Sequence, residues 1–166
     1  MYTSHLTTPL GLLEIKADDD FVLSTLFLEN TDGVQESENA VSRQAKQQLH
    51  EYFASQREVF SLPLSLNGST FQQKVWTELQ HIPYGKTISY LQLAVNLGDE
   101  KCIRAAATAN GRNPFAIIVP CHRVIGKDGS LTGYAGGLWR KQWLLEHEGI
   151  DLKASGFTIP KKGTAL

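Results

Sequence analysis

The stretch Phe115-Ala116-Ile117-Ile118-Val119-Pro120-Cys121-His122-Arg123-Val124-Ile125-Gly126 is an apolar run halted by a proline, followed by a cysteine, a histidine and an arginine, after which apolar residues resume. The first five residues are apolar without interruption and partly β-branched, so they read as a buried strand that delivers Cys121 at its end. A thiol is a weak nucleophile until a cation or a neighbouring base lowers its pKa, and His122 and Arg123 follow Cys121 directly. The same residues also fit a structural cysteine beside a surface basic pair, because isolated cysteines are usually small core hydrophobes.

Around this stretch the chain is an ordinary globular sequence of 166 residues, 42% apolar and 20% charged, long enough for one domain or two small ones. It has no apolar run of bilayer length and no secretory signal pattern at its start, so the expected compartment is the cytoplasm. Cys102 and Cys121 are the two cysteines, without CxxC or Cys/His ligand spacing, so neither a disulfide framework nor a structural metal is expected. The net charge of −1 conceals an asymmetry. Residues 1–65 carry four Lys/Arg against ten Asp/Glu, a net −6, whereas residues 66–166 carry twelve against seven, a net +5. A polyanion partner for the second half, nucleic acid above all, accounts for this; so does chance clustering on solvated faces.

Organisation follows from punctuation. Thr3 to Leu6, Leu10 to Ala17 and Phe21 to Leu28 are short apolar segments parted by Thr7-Thr8-Pro9 and Asp18-Asp19-Asp20, which predicts an antiparallel meander. Val41, Ala45, Leu49, Tyr52 and Phe53 fall at helical spacing, predicting a helix from Glu38 to Ala54 capped by Ser37. Val59 to Leu64 reads as a further strand, and residues 65–69 as a linker. Beyond it Thr70 is placed to cap a helix with Phe71, Val75, Trp76 and Leu79 on one face. Thr87 or Ser89 then caps a second helix through Leu97, stopped by Gly98, and a third begins near Asp99 and runs to Asn110. Helix, glycine turn, helix is the order of a helix-turn-helix, although any helical hairpin shares it. The third helix sets Arg104 among Ala105, Ala106, Ala107 and Ala109, a composition suited to close approach to a groove or to simple tight packing. The final helix, Leu138 to His147, is expected to turn Trp139, Trp143 and Leu144 inward. Glu148 at its end is disfavoured by the helix dipole, which fits either a partner holding it there, such as a histidine that it orients, or simply a solvated end residue.

From Phe71 to Gly149 the chain resembles the O6-alkylguanine-DNA alkyltransferases, the methylated-DNA-protein-cysteine methyltransferases. The resemblance rests on Asn113-Pro114, on residues 117–126, on Gly133-Tyr134-Ala135-Gly136-Gly137, on residues 141–149, on Thr87-Ile88-Ser89-Tyr90 and on Arg104-Ala105. It implies an α+β fold, with a ribonuclease-H-like α/β domain at 1–65, a mainly helical DNA-binding and alkyl-transfer domain at 66–156 that contains the helix-turn-helix and the active-site cysteine, and a tail at 157–166. It also implies irreversible, stoichiometric transfer of an alkyl group from O6 of a flipped guanine to Cys121, with O4 of thymine left open as a second target.

In that scheme His122 is the base acting through a water, Glu148 orients His122, and Tyr90 is the proton donor to guanine. Arg104, Ala105, Asn113 and Arg123 contact DNA or tie the DNA-binding elements to the site, and Val124, Tyr134 and Ala135 line the base pocket. The implied partner is double-stranded DNA containing O6-alkylguanine; no cofactor, metal, membrane or obligate protein partner is implied, and the protein is expected to be a monomer. Alkyltransferase-like proteins, which bind the lesion without reacting and typically carry tryptophan in place of the cysteine, are the main alternative. A cysteine hydrolase using Cys121 and His122 is a weaker one, lacking that class's signatures.

Overall fold

The computed structural model describes residues 1–152, within which the chain forms two compact units. The last residues of the expected second domain and the expected tail at 157–166 lie outside the described residues. One unit comprises residues 1–67 together with 114–118; the other comprises 68–113 and the chain from Val119 onward. Pro114 and four residues of the apolar run, Phe115 to Ile118, are thus grouped with the first unit although they lie far beyond residue 67 in sequence.

The first unit is a three-stranded antiparallel sheet in the order β1 (Tyr2–Thr8), β2 (Gly11–Ala17), β3 (Val22–Phe27), covered by helix α1 (Ala40–Phe53). In β2 the alternation is clean: Leu13, Ile15 and Ala17 are buried while Leu12, Glu14 and Lys16 are less so. Ala45, Leu49 and Tyr52 of α1 meet that buried face at i, i+4, i+7 spacing. The cap of α1 is Asn39, not Ser37: the Asn39 side chain accepts from the Ser42 amide at 2.9 Å, and the Ser42 hydroxyl accepts from the Asn39 amide. Ser37 is occupied elsewhere, exchanging both backbone hydrogen bonds with Thr3 at the sheet edge.

Two expected strands do not form. Residues 59–64 make only an isolated bridge, Leu64 with Val22, flanked by bonds from the Val22 amide to the Pro63 carbonyl and from the Ser65 amide back to Val22. A proline has no amide to extend the ladder, and Val59 is exposed. The run at 115–119 likewise makes a single bridge, Phe115 with Thr25, before it turns: Ile117 adopts φ +73°, which is costly for a β-branched residue and ends any extended geometry. The Thr25 hydroxyl accompanies the turn by donating to the Ala116 carbonyl at 2.9 Å.

The second unit contains α2 (Thr70–Leu79), β4 (Ile88–Ser89), α3 (Tyr90–Asn96), α4 (Ile103–Gly111), β5 (Val124–Ile125) and α5 (Leu138–His147). Ser69, not Thr70, caps α2, in a reciprocal capping box with Gln72. Ser89 caps α3 by accepting from the Gln92 amide. After Gly98, at φ +99°, Asp99 caps a single 3₁₀ turn (Glu100–Cys102) that leads directly into α4. The helix-turn-helix is thus α3, a glycine turn and α4. It is fixed to α2 by hydrogen bonds from Trp76 Nε1 to the Ala109 carbonyl at 2.9 Å and from Lys74 Nζ to the Leu97 carbonyl at 2.7 Å.

β4 and β5 pair in parallel, Ile88 with Val124 and Ser89 with Ile125. Helix α5 packs Leu138 and Leu145 against Ile125, Leu131 and Leu152, and that cluster sets its rotation. Trp139 consequently turns outward, 37% exposed, with the Arg140 guanidinium 4.7 Å from its ring, and Trp143 is only half-buried; of the three residues expected inside, Leu144 alone is fully so.

Candidate active site

Cys121 does not end a strand. Cys121, His122 and Arg123 form one 3₁₀ turn after Pro120, and all three are buried. The turn sends the three side chains in different directions. His122 Nε2 lies 2.7 Å from Glu148 Oε2. Arg123 donates from Nε to Glu148 Oε1 at 2.8 Å, from a terminal nitrogen to Oε2 at 3.1 Å, and from its other terminal nitrogen to the Ile82 carbonyl at 2.7 Å. The Gly85 amide also donates to Glu148 Oε1, at 3.1 Å. These bonds hold a carboxylate at a helix C-terminus where the dipole opposes it.

Burial alone would raise the Glu148 pKa, but the hydrogen bond from His122 and the paired Arg123 guanidinium outweigh it and keep the carboxyl well below the usual range. Glu148 is therefore ionised and its counter-ion is Arg123. Burial lowers the pKa of His122 against the opposing pull of Glu148, so the imidazole is neutral near pH 7. A neutral ring whose Nε2–H donates to Glu148 carries its lone pair on Nδ1, and His122 Nδ1 is a buried atom without a hydrogen-bond partner.

The expected contact of Arg123 with DNA is overturned by this geometry: the side chain is 5% exposed and its donors are spent on Glu148 and Ile82. Nor do His122 and Arg123 supply the positive charge beside the thiol. Burial raises the Cys121 pKa, and the opposing influences are a hydrogen bond from the Asn113 side chain and the charge of Lys141. Lys141 is fully buried on α5, with Nζ donating to the Val124 and Thr132 carbonyls at 2.6 Å each. Its surroundings bring its pKa down to about 8, while a Cys121 thiolate would favour the charged form.

The remaining expected residues divide between this cluster and the surface. The Tyr90 hydroxyl, on the first residue of α3, donates to the Thr132 carbonyl at 3.0 Å, and burial raises its pKa. Asn113 Nδ2 donates to the Val119 carbonyl at 2.7 Å, bracing the segment before the cysteine. Tyr134 is buried beside Cys121, its pKa raised well above the ordinary value by burial and then by that neighbour. Val124 is buried on β5, and Ala135 lies exposed in the glycine-rich loop. Arg104 and Ala105 are exposed near the start of α4.

Two residues of the cluster went unassigned in the sequence, Lys141 and Asn110. Each is a polar residue on an otherwise apolar stripe: Lys141 lies on the face of Leu138 and Leu145, and Asn110 on the face of Ala106 and Ala109. That interruption of the stripe was the legible signal. Cys102 is a free, half-buried thiol, and among the described residues no group of three or more His, Cys, Asp or Glu side chains is placed to hold a metal ion. No described helix is long and apolar enough to cross a membrane.

A buried thiol, a neutral histidine and a fixed carboxylate share one unit with a helix-turn-helix, a motif by which a class of proteins docks on DNA. Comparison with known proteins makes the class specific. Residues 1–66 match the ribonuclease-like domain of 6-O-methylguanine DNA methyltransferase, and residues 70–150 match its DNA binding domain. The chain is 46% identical over 162 residues to the constitutive methylated-DNA--protein-cysteine methyltransferase of Bacillus subtilis, covering 92% of this chain and 98% of the relative. It is also similar to the crystal structure of Mycobacterium tuberculosis O6-methylguanine methyltransferase, with a TM-score of 0.80 at 41% identity over 89% of this chain and 93% of that one. A structure titled as the same organism's OGT in complex with DNA gives 0.79 at 43% identity, over 87% and 90%. The chain belongs to the 6-O-methylguanine DNA methyltransferase family.

Proposed function

We propose that this protein repairs DNA by direct reversal, taking the alkyl group from O6 of a flipped guanine onto Cys121. The observation that carries the reading is the buried cluster around that thiol, in which His122 Nδ1 is a base without a partner and Glu148 is locked as a carboxylate. In the step, Cys121 Sγ bonds to the alkyl carbon as the bond from that carbon to O6 breaks, and the electron pair passes into the guanine ring. The thiol proton goes through one water to His122 Nδ1; Glu148 holds the ring in the required tautomer and favours the imidazolium that forms. Tyr90 exchanges the Thr132 carbonyl for the leaving base, to which its phenol donates as negative charge develops.

The product is a thioether with no leaving group good enough to regenerate the thiol, so each molecule reacts once and no cofactor enters. Asn113 steadies the segment carrying the thiol, and Val124, Tyr134 and Ala135 surround the base. Arg104 and Ala105, exposed at the start of α4, face the duplex, with Arg104 occupying the space left by the flipped nucleotide. The same reading has the protein acting as a cytoplasmic monomer on double-stranded DNA, with residues 66–156 as the reacting domain.

The test is intact mass with peptide mapping after incubation with duplex DNA containing O6-methylguanine. One methyl per molecule, on Cys121, is expected. Unmodified protein that still binds the lesion would replace the proposal with lesion recognition alone.

A further inference from the structure

Asn110 sits on the last turn of α4, 1% exposed, and the proposed chemistry gives it no task. A primary amide on an otherwise apolar face is buried at a cost, which its hydrogen bonds must offset. Its Nδ2 donates to the Cys121 carbonyl at 3.4 Å, and the same amide reaches the Tyr90 phenol. The phenol has one hydrogen, and that hydrogen is donated to the Thr132 carbonyl at 3.0 Å. Toward Asn110 the phenol oxygen therefore presents only lone pairs. Two acceptors, the Cys121 carbonyl and the Tyr90 oxygen, thus face the amide and hold its NH2 group toward them, while Oδ1 is left buried without a partner.

We infer that Asn110 is a positioning residue for the proton donor: its amide gives one hydrogen to the Cys121 carbonyl and the other to the Tyr90 oxygen, so that the phenol keeps its own hydrogen for the leaving base. In the alkyl-transfer reading, on which this inference rests, Tyr90 must turn that hydrogen from Thr132 to the base. The turn does not release the ring, because the Asn110 N–H still holds the oxygen. Nor does it orphan the Thr132 carbonyl, to which Lys141 Nζ also donates at 2.6 Å. A hydroxyl that accepts one hydrogen bond becomes a stronger donor of the next, so the amide also polarises the O–H toward the base. The bond from Asn110 favours the charged form of the oxygen and opposes the effect of burial on Tyr90.

The test is single-turnover transfer from duplex O6-methylguanine near pH 7, in the full-length protein and in Asn110→Leu, each made with and without Tyr90→3-fluorotyrosine. Asn110→Ser, too short to reach the phenol, repeats the comparison in case Asn110→Leu does not fold. Asn110→Leu is expected to slow transfer about fivefold, and 3-fluorotyrosine, a more acidic phenol and a stronger donor, to recover most of that loss. Iodoacetamide alkylation of Cys121 is expected to proceed at the same rate with Asn110 or Leu. A purely structural role, through the bond to the Cys121 carbonyl, would slow alkylation and transfer together and would not respond to fluorine, which overturns the proposal. Transfer at the native rate in Asn110→Leu overturns it as well. No transfer by the native protein would refute the alkyl-transfer reading itself, and the inference with it.

Discussion

Cys121 occupies surroundings that oppose its own ionisation, since burial raises the thiol's pKa, and the favourable charge comes from Lys141, twenty residues along the chain. A largely buried ammonium held by two carbonyls is weakly screened by water, so while it is protonated its effect on a nearby thiolate exceeds that of a surface arginine. Lys141→Met should shift the pH profile of Cys121 alkylation by iodoacetamide upward by about one unit and slow the reaction near pH 7 about tenfold. An unchanged profile would remove Lys141 from the account of thiol activation. Arg123, adjacent in sequence, is committed to neutralising Glu148 instead. Adjacency to Cys121 suggested an activating or DNA-facing cation, and nothing local in the sequence distinguishes that role from a buried counter-ion. The partner carboxylate, twenty-five residues away, is what decides it.

At the scale of elements, the glycine-rich loop between β5 and α5 is held over the site by Lys141 and Tyr90, both bonded to the Thr132 carbonyl. Gly133 follows at φ +71°, and a Cβ there would come within 2.8 Å of the Tyr90 hydroxyl. Gly133→Ala is therefore expected to combine backbone strain of roughly 1 to 2 kcal/mol with displacement of the Tyr90 phenol. Single-turnover kinetics on methylated duplex should show a larger loss than iodoacetamide alkylation of Cys121, because in the proposed mechanism the displaced group serves the leaving base and not the thiol. Equal losses would mean that the loop acts on the thiol itself. Most helices and the first meander were legible from periodicity, which is a local signal, although α1 and α2 are capped by Asn39 and Ser69 and not by the expected Ser37 and Thr70. The expected strands at 59–64 and 115–119 were not: apolar composition marks burial, and a proline at 63 and a positive φ at Ile117 convert buried chain into bridge and turn.

Across the whole chain, charge separates by sequence, with net −6 in residues 1–65 and net +5 beyond. The basic share includes Arg104, exposed on α4. Affinity for duplex DNA should fall steeply with added salt as counterions return to the phosphates, with the logarithm of the binding constant linear in the logarithm of salt concentration. Arg104→Ala should reduce repair of duplex O6-methylguanine at least tenfold while sparing transfer from the free base O6-benzylguanine, since only the duplex requires a flipped nucleotide to be held out. Equal losses on both substrates would contradict that role, and binding indifferent to salt would contradict the polyanion reading.

The sequence by itself determined the candidate nucleophile, the helix-turn-helix, the charge asymmetry and the family, because each is written in residue types at short fixed spacings. Only the tertiary structure decided which polar groups meet: Glu148 with both His122 and Arg123, Lys141 as the cation of the thiol, and Asn110 with the Cys121 carbonyl. Hydrogen bonds and buried charges depend on distances of a few ångströms between residues far apart in the chain. Those distances are fixed by how α4, α5 and the cysteine turn pack, which no local pattern encodes.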